Sequence, residues 1–182
     1  MKIKKMKKSK KKSYIYLFTG NGGGKTIAAL GLGLRFYGQG GKVAVVQFMK
    51  GRKNIGEFKV QKKLGGRFKV YQFGSKKFVN LKRPSKTDKK LAGKGLEFSK
   101  KILKRKPDLL ILDEINLACA ARLLKTRDVV LFLKDIPADT DVVLTGRRAP
   151  RELIKLADGV SIIKKVKHPF DKGIRARRGI EF

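Results

Sequence analysis

Residues 19–26 read TGNGGGKT and stand between an apolar run at 14–18 (YIYLF) and a stretch with helix-like spacing at 27–36 (IAALGLGLRF). Such a turn suits one kind of chemistry. Glycines let successive backbone N–H groups close on phosphate oxygens, and the helix N-terminus behind them adds its partial positive charge. Gly20, Asn21, Gly22, Gly23 and Gly24 then form the cradle of a nucleotide such as ATP. Lys25 reaches the outer phosphates, and the Thr26 hydroxyl sits on Mg2+ or a similar divalent cation. The spacing is a variant of the common G-x-x-x-x-G-K-[ST] form, because Thr19 holds the first glycine position and Gly20 comes one residue late. A second stretch, DLLILDE at 108–114, is an apolar strand that delivers Asp113 and Glu114 to a sheet edge, where carboxylates hold Mg2+ directly or through water. Alone, that pattern describes any strand ending in an acidic turn. Downstream of a phosphate loop it describes the other half of a nucleotide site.

The elements that must position these residues follow from periodicity. Strand-like apolar runs recur at 14–18, 42–48, 68–73, 108–112, 141–144 and 160–166. Helical patterns lie between most of them. One covers 26–39 and is closed by Gly38, Gly40 and Gly41. Another covers 85–105, with Ser85 and Thr87 as candidate N-caps and Leu91, Leu96, Phe98 and Ile102 as an apolar stripe. A third, 127–136, ends before Pro137, and a fourth, 150–157, opens with Pro150 at the first helical position. Strands alternating with helices predict an α/β fold, a mainly parallel sheet with helices on both faces. Ligands then belong at the carboxyl ends of the strands. Residues 49–66 and 74–84, rich in Gly and Lys, read as irregular loops and candidate substrate walls.

The chain has 182 residues, enough for one domain, expected at 14–182 behind a lysine-rich tail at 1–13. Eight of the first twelve residues are lysine, and the formal net charge is +33. A surface that basic binds nucleic acid by counterion release or reflects a lysine-rich composition with an anionic substrate. No aromatic-studded recognition motif accompanies the basic runs, so nucleic acid is not the expected partner. No apolar run approaches the roughly 18 residues of a membrane span, and the apolar part behind the lysines is too short for a secretion signal. A cytoplasmic protein without membrane contact is expected. Cys119 is the only cysteine and lies in a small apolar run, which suits a buried thiol. His168 is the only histidine, too isolated for a triad or a zinc site, and fits a structural role or the wall of the site.

The stretch GNGGGKTIAALGLGLRFYGQGGKVAVVQFMKG at 20–51 resembles the P-loop type of corrinoid adenosyltransferase, whose members show a GNGKGKTT loop, a helix bearing an arginine and a strand ending in VQF-x-KG. LDE at 112–114 and VVLTGR at 142–147 agree in order and spacing. The ending VKHPFDKGIRARRGIEF at 166–182 is similar to the family's C-terminal signature, which generic P-loop proteins lack. The resemblance covers residues 14–182. It implies a RecA-like P-loop fold and transfer of the 5′-deoxyadenosyl group of ATP to the Co(I) of a reduced corrinoid, cob(I)alamin or a precursor, with triphosphate as leaving group. It also implies a role in adenosylcobalamin formation, a homodimer and an electron-donor protein that reduces Co(II).

Residue by residue, the resemblance gives catalytic roles to Lys25 and Glu114, with Mg2+ on Thr26 and Glu114 beside Asp113. Arg147 adds a positive contact to ATP, and Arg35, on the helix leaving the loop, approaches the nucleoside. Gly23 stands where the family has lysine, and Ile27 replaces a second threonine. Where the family's corrinoid face shows Gly-Phe-Thr-Trp, this chain has FGSKKFVN at 73–80 and no tryptophan, which leaves Phe78 as the counterpart, with His168 as a second candidate for the corrinoid. Charge and the generic loop alone also admit a RecA-like ATPase stimulated by nucleic acid, or a nucleotide-binding regulatory or scaffold protein.

Overall fold

The computed structural model describes residues 12–180. Most of the tail expected at 1–13, and the last two residues of the C-terminal block, lie outside the described residues.

The strands are β1 (Ile15–Thr19), β2 (Val43–Phe48), β3 (Phe68–Phe73), β4 (Leu109–Asp113), β5 (Asp141–Thr145) and β6 (Gly159–Ile162). They pair in the order β3-β2-β4-β5-β1-β6, and every pairing is parallel. The helices are α1 (Lys25–Gly38), α2 (Gly56–Leu64), α3 (Lys86–Ile102), α4 (Ile115–Ala120), α5 (Thr126–Lys134) and α6 (Arg151–Leu156). This is the α/β architecture with helices on both faces of a parallel sheet, consistent with the RecA-like P-loop fold.

Strand alternation explains the two faces. Every residue of β2 and of β4 is buried, as expected for strands covered on both sides. Ala44, Val46, Phe48, Leu110 and Leu112 point into a core shared with α3, α4, α5 and α6. Val43, Val45, Leu109 and Ile111 point the other way, beneath α1 and α2. Helix α1 lies close to the sheet at Gly33, where a Cβ would meet Ile111 Cδ1 and Phe68 Cε2 at 3.2 Å. Helix α3 is started by Ser85, whose hydroxyl accepts from Asp88 N–H at 3.1 Å while the Asp88 carboxylate accepts from Ser85 N–H, a reciprocal cap. Thr87 lies inside the first turn.

Four local expectations change. Residues 56–64, expected to be irregular, form α2, which has no buried residue of its own but rests Phe58 and Leu64 on the core and receives Tyr37 Oη–H on the Leu64 carbonyl at 2.8 Å. Its glycine borders and lysines masked a short amphipathic helix that tertiary contacts hold. Pro150 is the N-cap of α6, with ψ of 146°, and not its first helical residue. Strand β6 stops at Ile162, short of 166, because its one neighbour, β1, ends at Thr19 opposite Ile162 and turns into the phosphate loop. Residues 115–120, which carry no strong start signal, form α4 directly behind β4.

Candidate active site

The phosphate loop joins β1 to α1 at the carboxyl edge of the sheet and is fastened to the chain beyond β6. Gly20 has φ +103°, and a Cβ there would collide with the backbone of Ile163. Gly22 N–H donates to the Ile163 carbonyl at 2.8 Å, and Ile163 N–H donates to the Thr19 carbonyl at 2.8 Å. Asn21 Oδ1 accepts from Lys165 N–H at 2.9 Å. Gly20 and Asn21 therefore hold the back of the loop, while Gly22, Gly23 and Gly24 line an open cavity. Gly24, with φ +93°, is the N-cap of α1 and makes no side-chain cap bond, so the first N–H groups of a fourteen-residue helix face the cavity without a capping side chain. Lys25 is buried at 6% exposure, and its ammonium donates to the Gly22 carbonyl at 2.5 Å. Burial pulls its pKa down, only partly opposed by the charge of Glu114.

Asp113, at the end of β4, is fully buried. The register sets Gln47 of β2 beside it. Its Oδ1 accepts from Thr26 Oγ1–H at 2.8 Å and from Thr145 Oγ1–H at 2.7 Å. Its Oδ2 accepts from Gln47 Nε2–H at 3.1 Å and from the Lys50 ammonium at 2.7 Å. Burial is the largest influence and raises its carboxyl pKa, but the Lys50 charge and the hydrogen bonds from Lys50, Thr145 and Thr26 together outweigh it and hold Asp113 below its usual range. Burial likewise lowers the Lys50 pKa, and the charge and hydrogen bond of Asp113, with the charges of Glu114 and Glu57, more than restore it. With both oxygens engaged, Asp113 braces the loop helix against the sheet through Thr26.

Glu114 differs. It sits in the left-handed region at φ 64°, its N–H donates to Thr145 Oγ1 at 2.9 Å, and it ends β4 by turning the chain into α4. Its Oε2 is buried with no hydrogen-bond partner among the described residues. Burial, and then the neighbouring Asp113 charge, raise its pKa. A buried carboxylate oxygen without a donor is an acceptor waiting for one, and a cation is the partner that suits it.

Residues 22–24, Lys25, Thr26, Lys50 and Glu114 wall a cavity of about 410 Å³, and Asp113 lies buried behind that wall without lining it. The loop, Lys25, Thr26, Lys50 and Arg147 supply N–H groups and positive charge, and Glu57 and Glu114 supply carboxylates. His168 also lines it; its Nδ1 accepts from Phe170 N–H at 3.1 Å, which starts a 3-10 turn, and its ring comes 3.7 Å from where a Cβ on Gly23 would stand. Two expected site residues lie elsewhere. Arg35 is in the last turn of α1, ten residues past Lys25 and about 15 Å along the helix at 1.5 Å per residue, and it does not line the cavity. Phe78, 90% exposed, lines a second cavity of about 100 Å³ with the Arg52 guanidinium 4.8 Å from its ring centre.

Sequence reasoning missed Gln47, Lys50 and Glu57. A signal existed for the first two. Gln47 is a polar residue inside the buried run VAVVQF, and Lys50 follows that strand at the carboxyl edge, where ligands bind. Glu57 rides on α2, which the sequence did not announce; it accepts from Gln47 Nε2–H at 3.1 Å. Among the described residues, no three His, Cys, Asp or Glu side chains form a metal cluster, and no helix is long and apolar enough to cross a membrane.

The site can thus grip a polyphosphate at a helix N-terminus, set cations around it and offer a carboxylate to a divalent ion. Comparison with known proteins narrows that chemistry. The model of the family described as ATP:corrinoid adenosyltransferase BtuR/CobO/CobP matches residues 11–182. The corrinoid adenosyltransferase of a Sinorhizobium species is 37% identical over 178 residues, 96% of this chain and 83% of its own. That of Escherichia coli K12 is 37% identical over 169 residues, 92% of this chain and 85% of its own. Corrinoid adenosyltransferase CobA of Salmonella typhimurium LT2 is 36% identical over 169 residues, again 92% and 85%. The match runs from the phosphate loop through the Asp113–Glu114 edge to the C-terminal segment that fastens the loop, and on that agreement over residues 11–182 the chain belongs to the ATP:corrinoid adenosyltransferase family.

Proposed function

We propose that the protein transfers the 5′-deoxyadenosyl group of ATP to the Co(I) of a reduced corrinoid and releases inorganic triphosphate. The observation that carries this reading is the family match over residues 11–182, which includes the C-terminal segment generic phosphate-loop ATPases lack. The site's chemistry is compatible. Co(I) supplies the electron pair of the new cobalt–carbon bond, and the pair of the broken C5′–O bond leaves with the triphosphate. No proton moves, so no general base is needed. The protein has to align C5′ with cobalt and neutralise the leaving group. Backbone N–H groups of the loop and the ammonium of Lys25 do the second task, with Arg147 as a further cation on the same wall.

The residues also fit Mg2+. The unpartnered Oε2 of Glu114 and the hydroxyl of Thr26 would hold it, with phosphate oxygens and water completing the set. When bound, the ion withdraws charge from the phosphate oxygens. Asp113 orients Thr26 in this arrangement. The family resemblance further supports a homodimer in the cytoplasm, a separate electron-donor protein for Co(II), and a corrinoid lying near Phe78.

A net charge of +33 favours one rival, an ATPase stimulated by nucleic acid. Phosphorus NMR of ATP incubated with and without Co(I) corrinoid separates the two. The expected product is triphosphate, formed only with the corrinoid. ADP and phosphate formed without corrinoid and stimulated by DNA or RNA would refute the adenosyl-transfer reading.

A further inference from the structure

Lys50 is the residue shared by the walls of the two cavities, the larger one at the phosphate loop and the smaller one beside Phe78. It is mounted rigidly for a lysine. Met49 before it has φ 58°, a left-handed conformation that costs a side-chain-bearing residue energy and tends to persist at functional sites. Gly51 after it lies against Gly74 and Ser75 so closely that a Cβ on either glycine would strike the opposing backbone. Met49 N–H donates to the Phe73 carbonyl at 3.1 Å, closing the same clamp. The ammonium then rests 2.7 Å from Asp113 Oδ2 and 3.4 Å from Thr26 Oγ1, with 29% of the side chain exposed.

A purely structural role explains this poorly. Asp113 has three other donors, from Thr26, Thr145 and Gln47, and a buried ion pair adds little stability over well-packed apolar residues. A fixed cation at the seam of two cavities has a chemical use. We propose that Lys50 is a catalytic residue that contacts the triphosphate oxygen parting from C5′, stabilising the negative charge that develops there as the cobalt–carbon bond forms. The inference rests on the proposed reaction, with the nucleotide in the larger cavity and the corrinoid at the smaller one, so that C5′ lies where they meet. The charge grows between ground state and transition state, so the contact acts mainly on the rate. Asp113 and the clamp of Gly51 and Gly74 hold the ammonium in place before substrate arrives.

The test compares wild type, Asp113→Asn and Lys50→Met/Asp113→Asn; the double variant removes both charges and leaves no unpaired ion, and its difference from Asp113→Asn isolates Lys50 from the loss of the Asp113 carboxylate at Thr26. It reads melting temperature, calorimetric affinity for inorganic triphosphate, and the rate at saturating ATP and Co(I) corrinoid. The expected result is a melting temperature close to wild type, triphosphate bound at least about tenfold more weakly, and a saturated rate reduced at least about a hundredfold, near 2.7 kcal/mol of barrier at 1.36 per factor of ten. Should the double variant fail to fold, Lys50→Gln, which keeps a donor for Asp113 without the charge, gives the same comparison. A folded variant with wild-type triphosphate affinity and saturated rate overturns the role. A wild-type chain that releases no triphosphate refutes the proposed reaction and this role together, whereas wild-type turnover with an unaffected variant refutes the role alone.

Discussion

Gly20→Ala isolates the shape of the phosphate loop from its composition. At φ +103° an L-residue is in the left-handed half of backbone space, which costs about 1–2 kcal/mol. The new Cβ would also press on the Ile163 backbone, with its nitrogen at 2.9 Å and its carbonyl oxygen nearer still. Neither atom is the end of a flexible side chain, so overpacking adds about 1–3 kcal/mol. Lower entropy in the unfolded chain returns about 0.4–1 kcal/mol. The net is a loss of about 1–5 kcal/mol, or roughly 2–20 °C in melting temperature for a domain of this size. The same displacement moves the Ile163 carbonyl away from Gly22 N–H, so the cradle opens and ATP affinity falls at least about tenfold, 1.4 kcal/mol. Gly93→Ala is the control. It lies inside α3 with nothing within 4 Å of the added Cβ and should stabilise by about 0.5–1 kcal/mol. Circular dichroism melts and ATP calorimetry on both variants suffice. A Gly20→Ala protein that melts within about 1 °C of wild type and binds ATP normally would refute the account of the loop as a shape held by Ile163.

Lys25→Ala removes the buried ammonium on the Gly22 carbonyl and should lower turnover at least about tenfold; steady-state rates check it, and normal kinetics would remove the phosphate-loop assignment. Glu114→Gln takes away the unpartnered carboxylate oxygen and should raise the Mg2+ concentration for half-maximal rate at least about tenfold; an unchanged titration would take Glu114 out of the metal site. Cys119, with its thiol pushed up to about 12 by burial, should resist iodoacetamide at neutral pH and react once the chain is unfolded; rapid labelling of the native protein in mass spectra would contradict its place in the core.

Two signals made the fold legible. Parallel strands covered on both faces must be apolar throughout, so VAVVQF and LLILD stand out at once, and parallel strands need crossover helices between them. Where helix formation rests on tertiary contact and not on a cap or a long stripe, the pattern was silent. Helix α2 has no side-chain cap and no buried residue, and it exists because Phe58 and Leu64 find the surface of α1 and the sheet. Arg35 shows the same limit from the other side: its helix was correctly expected, but ten residues of rise carry it away from the loop.

Within the site, the chain's own order determined the parts that are local. Glycines 20–24, Lys25 and Thr26 are contiguous, so one turn from strand to helix is enough to assemble a phosphate cradle, and Asp113 with Glu114 ends a strand that any parallel sheet would bring to the same edge. Only the tertiary structure decided how those parts divide their work. Asp113 and Glu114 are neighbours of like chemistry, yet pairing of β2 with β4 sets Gln47 and Lys50 against the first and leaves an oxygen of the second without a donor. The back of the loop is closed by Ile163, more than a hundred residues away in the chain. Periodicity reports which face of an element is apolar, because burial acts on each element separately. It does not report which strand lies beside which, and that adjacency determines which charges meet in the cavity.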